Sequence, residues 1–243
     1  DVVKFLNGIL KKSTPRNHNN FRSVLSSIFT VLEDHEMIDR NFVKNIKPIK
    51  TNSVRNKTYS VDQVDEINNY LEKNDPLLHL FIKFVSYNFL RPIEVIRLRV
   101  KDVNLHEKLL VVDAKNKSAK TKIIPDILIK EIMSLDLSSL DHYLFTPNGV
   151  GEWTSSEVDK RNYFTKRFRK VKVKLNLDAD YTMYSFRHTF ITKLYRELRK
   201  VNSKTETHDK LMLITGHSTL KALTMYLRDI DAELPQDYSD LIK

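Results

Sequence analysis

Residues 76–89, PLLHLFIKFVSYNF, are apolar on nearly every face of a helix. A helix without a polar side has to be enclosed by other elements, so this segment predicts the centre of a core. No uninterrupted apolar run in the chain approaches the roughly 18 residues needed to cross a bilayer. The enclosing partners must therefore come from the chain itself. Ser60 and Gln63 form a capping-box pattern ahead of Val61, Val64, Ile67 and Leu71, which predicts a helix immediately before the buried one. A further helix is expected through EVIRLR. Beyond it, KLLVVDA and TKIIPDI flank the polar turn KNKSAK, the pattern of a β-hairpin. A loop containing TPNGVGEW leads to residues 155–175, and helices are expected at 185–200, 207–215 and 219–229. The fold class is mainly α with one small antiparallel sheet.

A separate module precedes this domain. Two amphipathic helices are expected over 2–10 and 16–38, the second carrying Phe21, Leu25, Ile28, Phe29 and Leu32 at helical spacing. The stretch IKPIKTNSVRNKT, residues 46–58, combines a proline, small polar residues and unopposed positive charge, the composition of an exposed linker. The expected organisation is a helical module over 1–50, a basic linker over 51–58 and the main domain over 59–243. The chain opens on DVVKFLNGIL, with neither a basic n-region nor a cleavage site, so no signal peptide is expected. Without an initiator Met it reads as a piece of a longer chain.

Composition excludes several chemistries. With no cysteine among 243 residues, disulfides, thiolate zinc sites and cysteine nucleophiles are impossible. The four glycines, Gly8, Gly149, Gly151 and Gly216, cannot build a P-loop or a G-x-G-x-x-G turn. His79, His106, His142 and His208 show no metal-ligand spacing. Lys and Arg number 41 against 31 Asp and Glu, a formal charge of +10, which favours nucleic acid as a partner ahead of an anionic membrane surface.

Five places in the main domain hold polar residues that form a set. Arg91 lies at the junction of two apolar helices with Glu94 three residues on. Lys115, Lys117 and Lys120 lie in or beside the hairpin turn. Tyr184 and Arg187 are three apart at a helix start, in YSFRHTF. His217 follows Gly216, which can end a helix, and precedes Ser218, a candidate N-cap. Tyr226 stands nine residues beyond His217.

This set resembles the tyrosine recombinase, or phage integrase, family over nearly the whole chain. The family pattern is an Arg followed by an acidic residue, a hairpin Lys, H-x-x-R, then G-H followed nine residues later by Tyr. Counting eight residues back from Pro125 selects Lys117 as the hairpin Lys, and Lys120 falls at a second, frequently basic position. Residues 1–50 resemble the C-terminal part of the family's helical core-binding domain. One position departs from the commonest pattern: Tyr184 stands where H-x-x-R has His. A phenol can donate a hydrogen bond to a phosphate but is a poor base at neutral pH.

The resemblance implies a site-specific recombinase that cleaves and rejoins DNA through a 3′-phosphotyrosine. Tyr226 would be the nucleophile, Arg91 and Arg187 a clamp on the phosphate, Lys117 the acid for the leaving 5′ oxygen, Tyr184 a further phosphate donor, and His217 either a phosphate ligand or an aid to the tyrosine proton. Glu94 would orient Arg91. No metal, nucleotide or other cofactor is implied. The expected partners are double-stranded DNA and a homo-tetramer assembled on it, with the C-terminal segment exchanged between protomers. Accessory DNA-bending proteins and a bacterial cytoplasmic, nucleoid-associated location also follow from the resemblance, and no membrane does. Lys47, Lys50, Arg55, Lys57, Lys115, Lys120, Lys166, Arg167 and Arg169 are the expected DNA-contacting cations. The last three belong to RNYFTKRFRKVKVK, residues 161–174, which has no acidic residue.

Taken singly, each residue also has an ordinary structural role: a capping arginine, solvated turn lysines, core aromatics, a helix-end histidine. The agreement of order, spacing and domain placement at five sites is what selects the functional reading. Its alternatives are a type IB topoisomerase-like enzyme, a non-catalytic DNA-binding regulator of the same fold and, least favoured for want of an acidic cluster, a metal-dependent nuclease.

Overall fold

The computed structural model describes residues 1–51, 57–113, 119–235, 237 and 239–242. The chain divides into two compact units, Asp1–Val54 and Arg55–Lys243.

In the first unit, α1 (Val2–Lys12) packs on α2 (Pro15–Asp34). Thr14 caps α2, accepting from the Asn17 amide at 3.2 Å, with Pro15 at the first helical position. The second helix stops short of the expected 38. Glu36 takes a left-handed φ of 56°, and the Met37 amide closes back on the Leu32 carbonyl at 2.9 Å. A 3-10 turn, Phe42–Asn45, then returns Val43 to the core. Buried Asn41 fixes this turn. Its amide donates to the Ser26 carbonyl and the Thr30 hydroxyl, and its carbonyl accepts from the Val43 amide. Lys47 and Lys50 are exposed at the end of this unit.

The second unit is built around the apolar segment. Helix α3 (Val61–Asn74) starts at Ser60, whose capping box with Gln63 is formed in both directions. Helix α4 (Pro76–Tyr87) is the enclosed helix; Leu78, Phe81, Ile82, Phe84 and Val85 are fully buried. The expected helix through EVIRLR is only a turn, α5 (Pro92–Val95). Then β1 (Val103–Asn104), β2 (Leu109–Val112) and β3 (Lys120–Ile123) form an antiparallel sheet in sequence order, with Leu110 opposite Lys122. Helix α6 (Asp126–Met133) follows Pro125. The TPNGVGEW region is a second small sheet rather than a loop: β4 (Tyr143–Thr146) pairs with β5 (Gly149–Gly151), and Gly149 supplies the turn's φ of 91°.

Four long helices complete the unit: α7 (Glu157–Lys174), α8 (Met183–Val201), α9 (Lys204–Thr215) and α10 (Leu220–Asp229). Helix α4 packs against α3, α6, α7 and α8. Its Phe81 stacks on Phe164 of α7 at 4.3 Å, and Phe145 of β4 meets Phe81 and Phe84 edge-on. A second apolar cluster, including Ile191, Leu211, Leu223 and Leu227, ties α8, α9 and α10 together. The site residues of these three helices are therefore held by one core. Among the described residues no helix is long and apolar enough to cross a membrane.

Candidate active site

Arg91 sits at the N-terminus of α5, where its backbone amide donates to Glu94 Oε2 at 2.7 Å and its guanidinium to Oε1 at 2.9 Å. Glu94 thus holds both ends of the residue, while the Arg91 side chain stays 45% exposed. Burial works against the Arg91 cation, but Glu94 and the Tyr184 phenol more than offset it and hold it above the ordinary arginine range.

Helix α8 begins at Thr182, which accepts from the Tyr184 amide at 3.2 Å. That start presents Tyr184, Arg187 and His188 within its first turns. Arg187 is 1% exposed. One terminal nitrogen donates to the Thr215 carbonyl at 3.3 Å, while Nε and the other terminal nitrogen have no partner among the described residues. A buried guanidinium with two unsatisfied nitrogens is costly, and such a group belongs where an anion binds.

The α9–α10 junction brings in the remaining groups. Gly216 ends α9 in the left-handed region, φ 76°, and a Cβ there would meet Lys120 Nζ at 3.5 Å. The N-cap of α10 is Thr219, accepting from the Ala222 amide at 3.1 Å, and not Ser218 as expected. The Thr215 hydroxyl donates to the Leu211 carbonyl and hence accepts from His217 Nδ1, both at 2.6 Å. Burial, then Arg187, Arg91, Lys120 and Lys122, pull the His217 imidazole down to about 4. Tyr226, half-buried on α10, has its ring 5.0 Å from that of His217. Burial pushes its phenol above the ordinary value; Arg187 and Arg91 oppose the rise and Tyr184 adds to it.

Arg91, Glu94, Tyr184, Arg187, His217 and Tyr226 are therefore gathered in one place. Lys117 and Lys115 of the hairpin, and Arg55 of the linker, lie outside the described residues. Three groups not expected in the catalytic set join the site. His188 Nδ1 is 2.8 Å from the Tyr226 hydroxyl. On β3, Lys120 donates to the Gly216 carbonyl, and Lys122 to the Ile214 carbonyl at 2.6 Å. Lys120 had been expected only as a DNA contact, and Lys122 not at all. Burial and the neighbouring cations Arg187, Lys120 and Arg91 pull the Lys122 ammonium down to about 7, with Glu94 opposing. The signal was available. Residues two apart on a strand share a face, so a site lysine at 120 brings Lys122 with it.

The other expected cations differ in availability. Lys166 and Arg169 are exposed on α7, and Arg169 lines a groove of about 700 Å³ with Arg161, Lys172 and Tyr184. Arg167 instead turns inward, donating to both oxygens of Asp75 and to the Tyr163 hydroxyl. Lys57 is paired with Asp178 at 3.2 Å and Asp180 at 3.5 Å.

A mainly helical domain that gathers Arg91 before α5, Tyr184, Arg187 and His188 of α8, His217 between α9 and α10, and Tyr226 of α10 defines the class, and comparison with known proteins fixes the family. The model of the phage integrase family matches residues 57–233. The chain belongs to that family, the tyrosine recombinases.

Solved structures agree on the fold. Lambda integrase, as a dimer bound to a COC′ core site, superposes with a TM-score of 0.69 at 16% identity. The match covers 97% of this chain and 66% of that one, so this chain spans just under two thirds of the lambda integrase chain. The Tn1549 transposon integrase, in complex with a circular intermediate DNA, gives 0.70 at 15% identity, covering 100% of this chain and 82% of that one. XerA recombinase gives 0.54 at 15%, covering 99% and 80%. No curated protein matches by sequence. The topoisomerase alternative is not favoured by these comparisons.

Proposed function

We propose that the chain is a site-specific DNA recombinase that cleaves and rejoins one strand at a time through Tyr226. The observation that carries this reading is Arg187: a buried guanidinium beside the Tyr226 hydroxyl, with two nitrogens that have no hydrogen-bond partner within 3.5 Å among the described residues. A phosphodiester anion satisfies both the charge and the fork geometry. Arg187 and Arg91 neutralise the non-bridging oxygens, with Tyr184 as a further donor and His217 as another once the bound anion has raised its proton affinity. The Tyr226 oxygen attacks phosphorus, the P–O5′ bond breaks, and Lys117 protonates the leaving oxygen. The phosphotyrosine conserves the bond for rejoining by another 5′ hydroxyl. Neither metal nor nucleotide takes part in these steps.

The related integrases whose structures are solved bind DNA, and lambda integrase is also known as a tetramer bound to a Holliday junction. The assembly proposed for this chain is likewise a homo-tetramer on two duplexes, with C-terminal segments exchanged between protomers. Arg196 of α8 donates to the carbonyls of Asp231 and Ala232, and Lys204 pairs with Glu233. DNA-bending accessory proteins and a nucleoid location in a bacterial cytoplasm complete the proposal.

The test is incubation with a nicked duplex spanning the joined ends of the DNA element that encodes the chain, followed by denaturing electrophoresis. A protein–DNA adduct that disappears in Tyr226→Phe is expected. An undiminished adduct in that variant would assign the chemistry to another residue.

A further inference from the structure

The Tyr226 hydroxyl has to lose its proton as it attacks, and His217, one of whose expected roles was to assist that proton, is hydrogen-bonded to Thr215 instead. His188 lies 2.8 Å from that oxygen through Nδ1. Its ring packs between two tyrosines: the edge of Tyr184 at 4.6 Å, and Tyr226 at 5.4 Å with the planes inclined by 35°. His188 is 2% exposed, so no bulk water competes for this nitrogen. Tyr184 and His188 are four residues apart on α8 and share a face of the helix.

We infer that His188 is the proton acceptor for the Tyr226 nucleophile, a catalytic residue additional to those expected from the sequence. The inference rests on the reaction proposed above. In the step, the Oη–P bond forms, the Oη proton passes to Nδ1, the P–O5′ bond breaks, and the leaving oxygen is protonated by the general acid. In rejoining, the 5′ hydroxyl attacks, the tyrosine oxygen departs, and Nδ1 returns the proton to it.

Three observations give the hydrogen bond this direction. Burial and then the Arg187 cation pull the His188 imidazole down to about 4, so the ring is neutral and keeps a free lone pair. Burial holds the Tyr226 proton on its oxygen, leaving an O–H to donate. Arg187 and Arg91 also bear on that oxygen, and two positive charges favour its lone pairs facing them and its proton facing the uncharged nitrogen. His217 is the other imidazole beside Tyr226, but its Nδ1 is committed to Thr215, and it makes no hydrogen bond to the phenol. The low basicity of His188 in the DNA-free chain is no obstacle. A bound phosphodiester brings negative charge beside Arg187 and so raises the proton affinity of the imidazole at the moment of attack.

The test uses the full chain and the nicked duplex, prepared with either an ordinary scissile phosphate or a 5′-bridging sulfur in place of O5′. A thiolate leaves without protonation, so the sulfur substrate bypasses the general acid but not the acceptor of the tyrosine proton. His188→Asn keeps an acceptor near the Nδ1 position without its basicity. Adduct formation by His188→Asn should fall by about 100-fold or more on both substrates, the usual range for a lost general base, with DNA binding unchanged. Lys117→Ala should be slow on the oxygen substrate and recover on the sulfur one. Parental rates in His188→Asn, or recovery on the sulfur substrate, overturn the inference and leave the proposed reaction standing. A parental chain that forms no adduct overturns both. Should His188→Asn fail to fold, ¹⁵N spectra of the parental imidazoles decide. Two imidazoles border Tyr226 and should shift in Tyr226→Phe: His217, with its proton on Nδ1 toward Thr215, and His188, which should carry its proton on Nε2; protons on Nδ1 in both overturn the inference.

Discussion

Replacing Arg187 by Met should make the DNA-free protein more stable while crippling its chemistry. The guanidinium is 1% exposed, and its Nε and one terminal nitrogen lack partners among the described residues. A buried donor without a partner costs about 1–3 kcal/mol, and more when charged. Met retains most of the apolar stem and removes both donors. It also removes the bond to the Thr215 carbonyl, which at 3.3 Å is long and contributes about 1 kcal/mol or less. The net expectation is a gain of about 1–3 kcal/mol, which raises Tm by about 2–4 °C for each kcal/mol in a domain of this size. Adduct formation should fall at least 100- to 1000-fold, the usual loss for one electrostatic donor at a reacting oxyanion. Calorimetry of the DNA-free chain reads the first effect and the nicked duplex the second. A lower Tm in Arg187→Met would refute the reasoning, since it would make the guanidinium a satisfied structural group.

Acid should weaken the fold through His188. Its folded pKa of about 4 lies below the ordinary 6.5, so between those values the unfolded chain binds the extra proton and stability falls as pH drops. The loss from His188 by pH 5 is about 2 kcal/mol, and His217, also pulled down to about 4, adds a similar amount; urea unfolding at pH 7.5 and pH 5 measures the sum, of which His188→Asn should remove about half. Tyr184→Phe should slow cleavage on the order of 100-fold if its phenol donates to the phosphate, and Tyr184→His should recover much of that; an unaltered rate in the Phe variant would make the ring a packing group only. DNA binding should weaken steeply with salt. Lys166→Ala and Arg169→Ala should each reduce the slope by about 0.9, whereas Lys57→Ala and Arg167→Ala, whose cations are paired with Asp178 and Asp75, should leave it nearly unchanged.

What the sequence disclosed depended on whether its signal was local. The enclosed helix α4, the capping box at Ser60 and the αL glycine at 216 each follow from a few adjacent residues, and all three are present. The reading ran past the end of α2 because nothing in HEM demands a stop; the left-handed turn at Glu36 ends it. Strands β4 and β5 were missed for their shortness, although Asn148-Gly149 is a hairpin signal. Helix α6 was hidden behind a strand reading that ran through Pro125. Cations posed the harder problem. Arg167 belongs to a run with no acid in it, yet its partner Asp75 lies 92 residues away, and no local pattern distinguishes it from Arg169. The candidate site shows the same division. Arg91, Arg187, His217 and Tyr226 are selected by order and spacing, whereas His188 reaches the candidate site through its contact with Tyr226 of α10, which spacing does not encode.

The most direct test of the central claim is to digest the covalent adduct and identify the residue and DNA end that are joined. A single phosphotyrosyl peptide containing Tyr226, linked to a 3′ phosphate, is expected, with a free 5′ hydroxyl on the other fragment. A linkage at any other residue, or attachment through a 5′ phosphate, would contradict it.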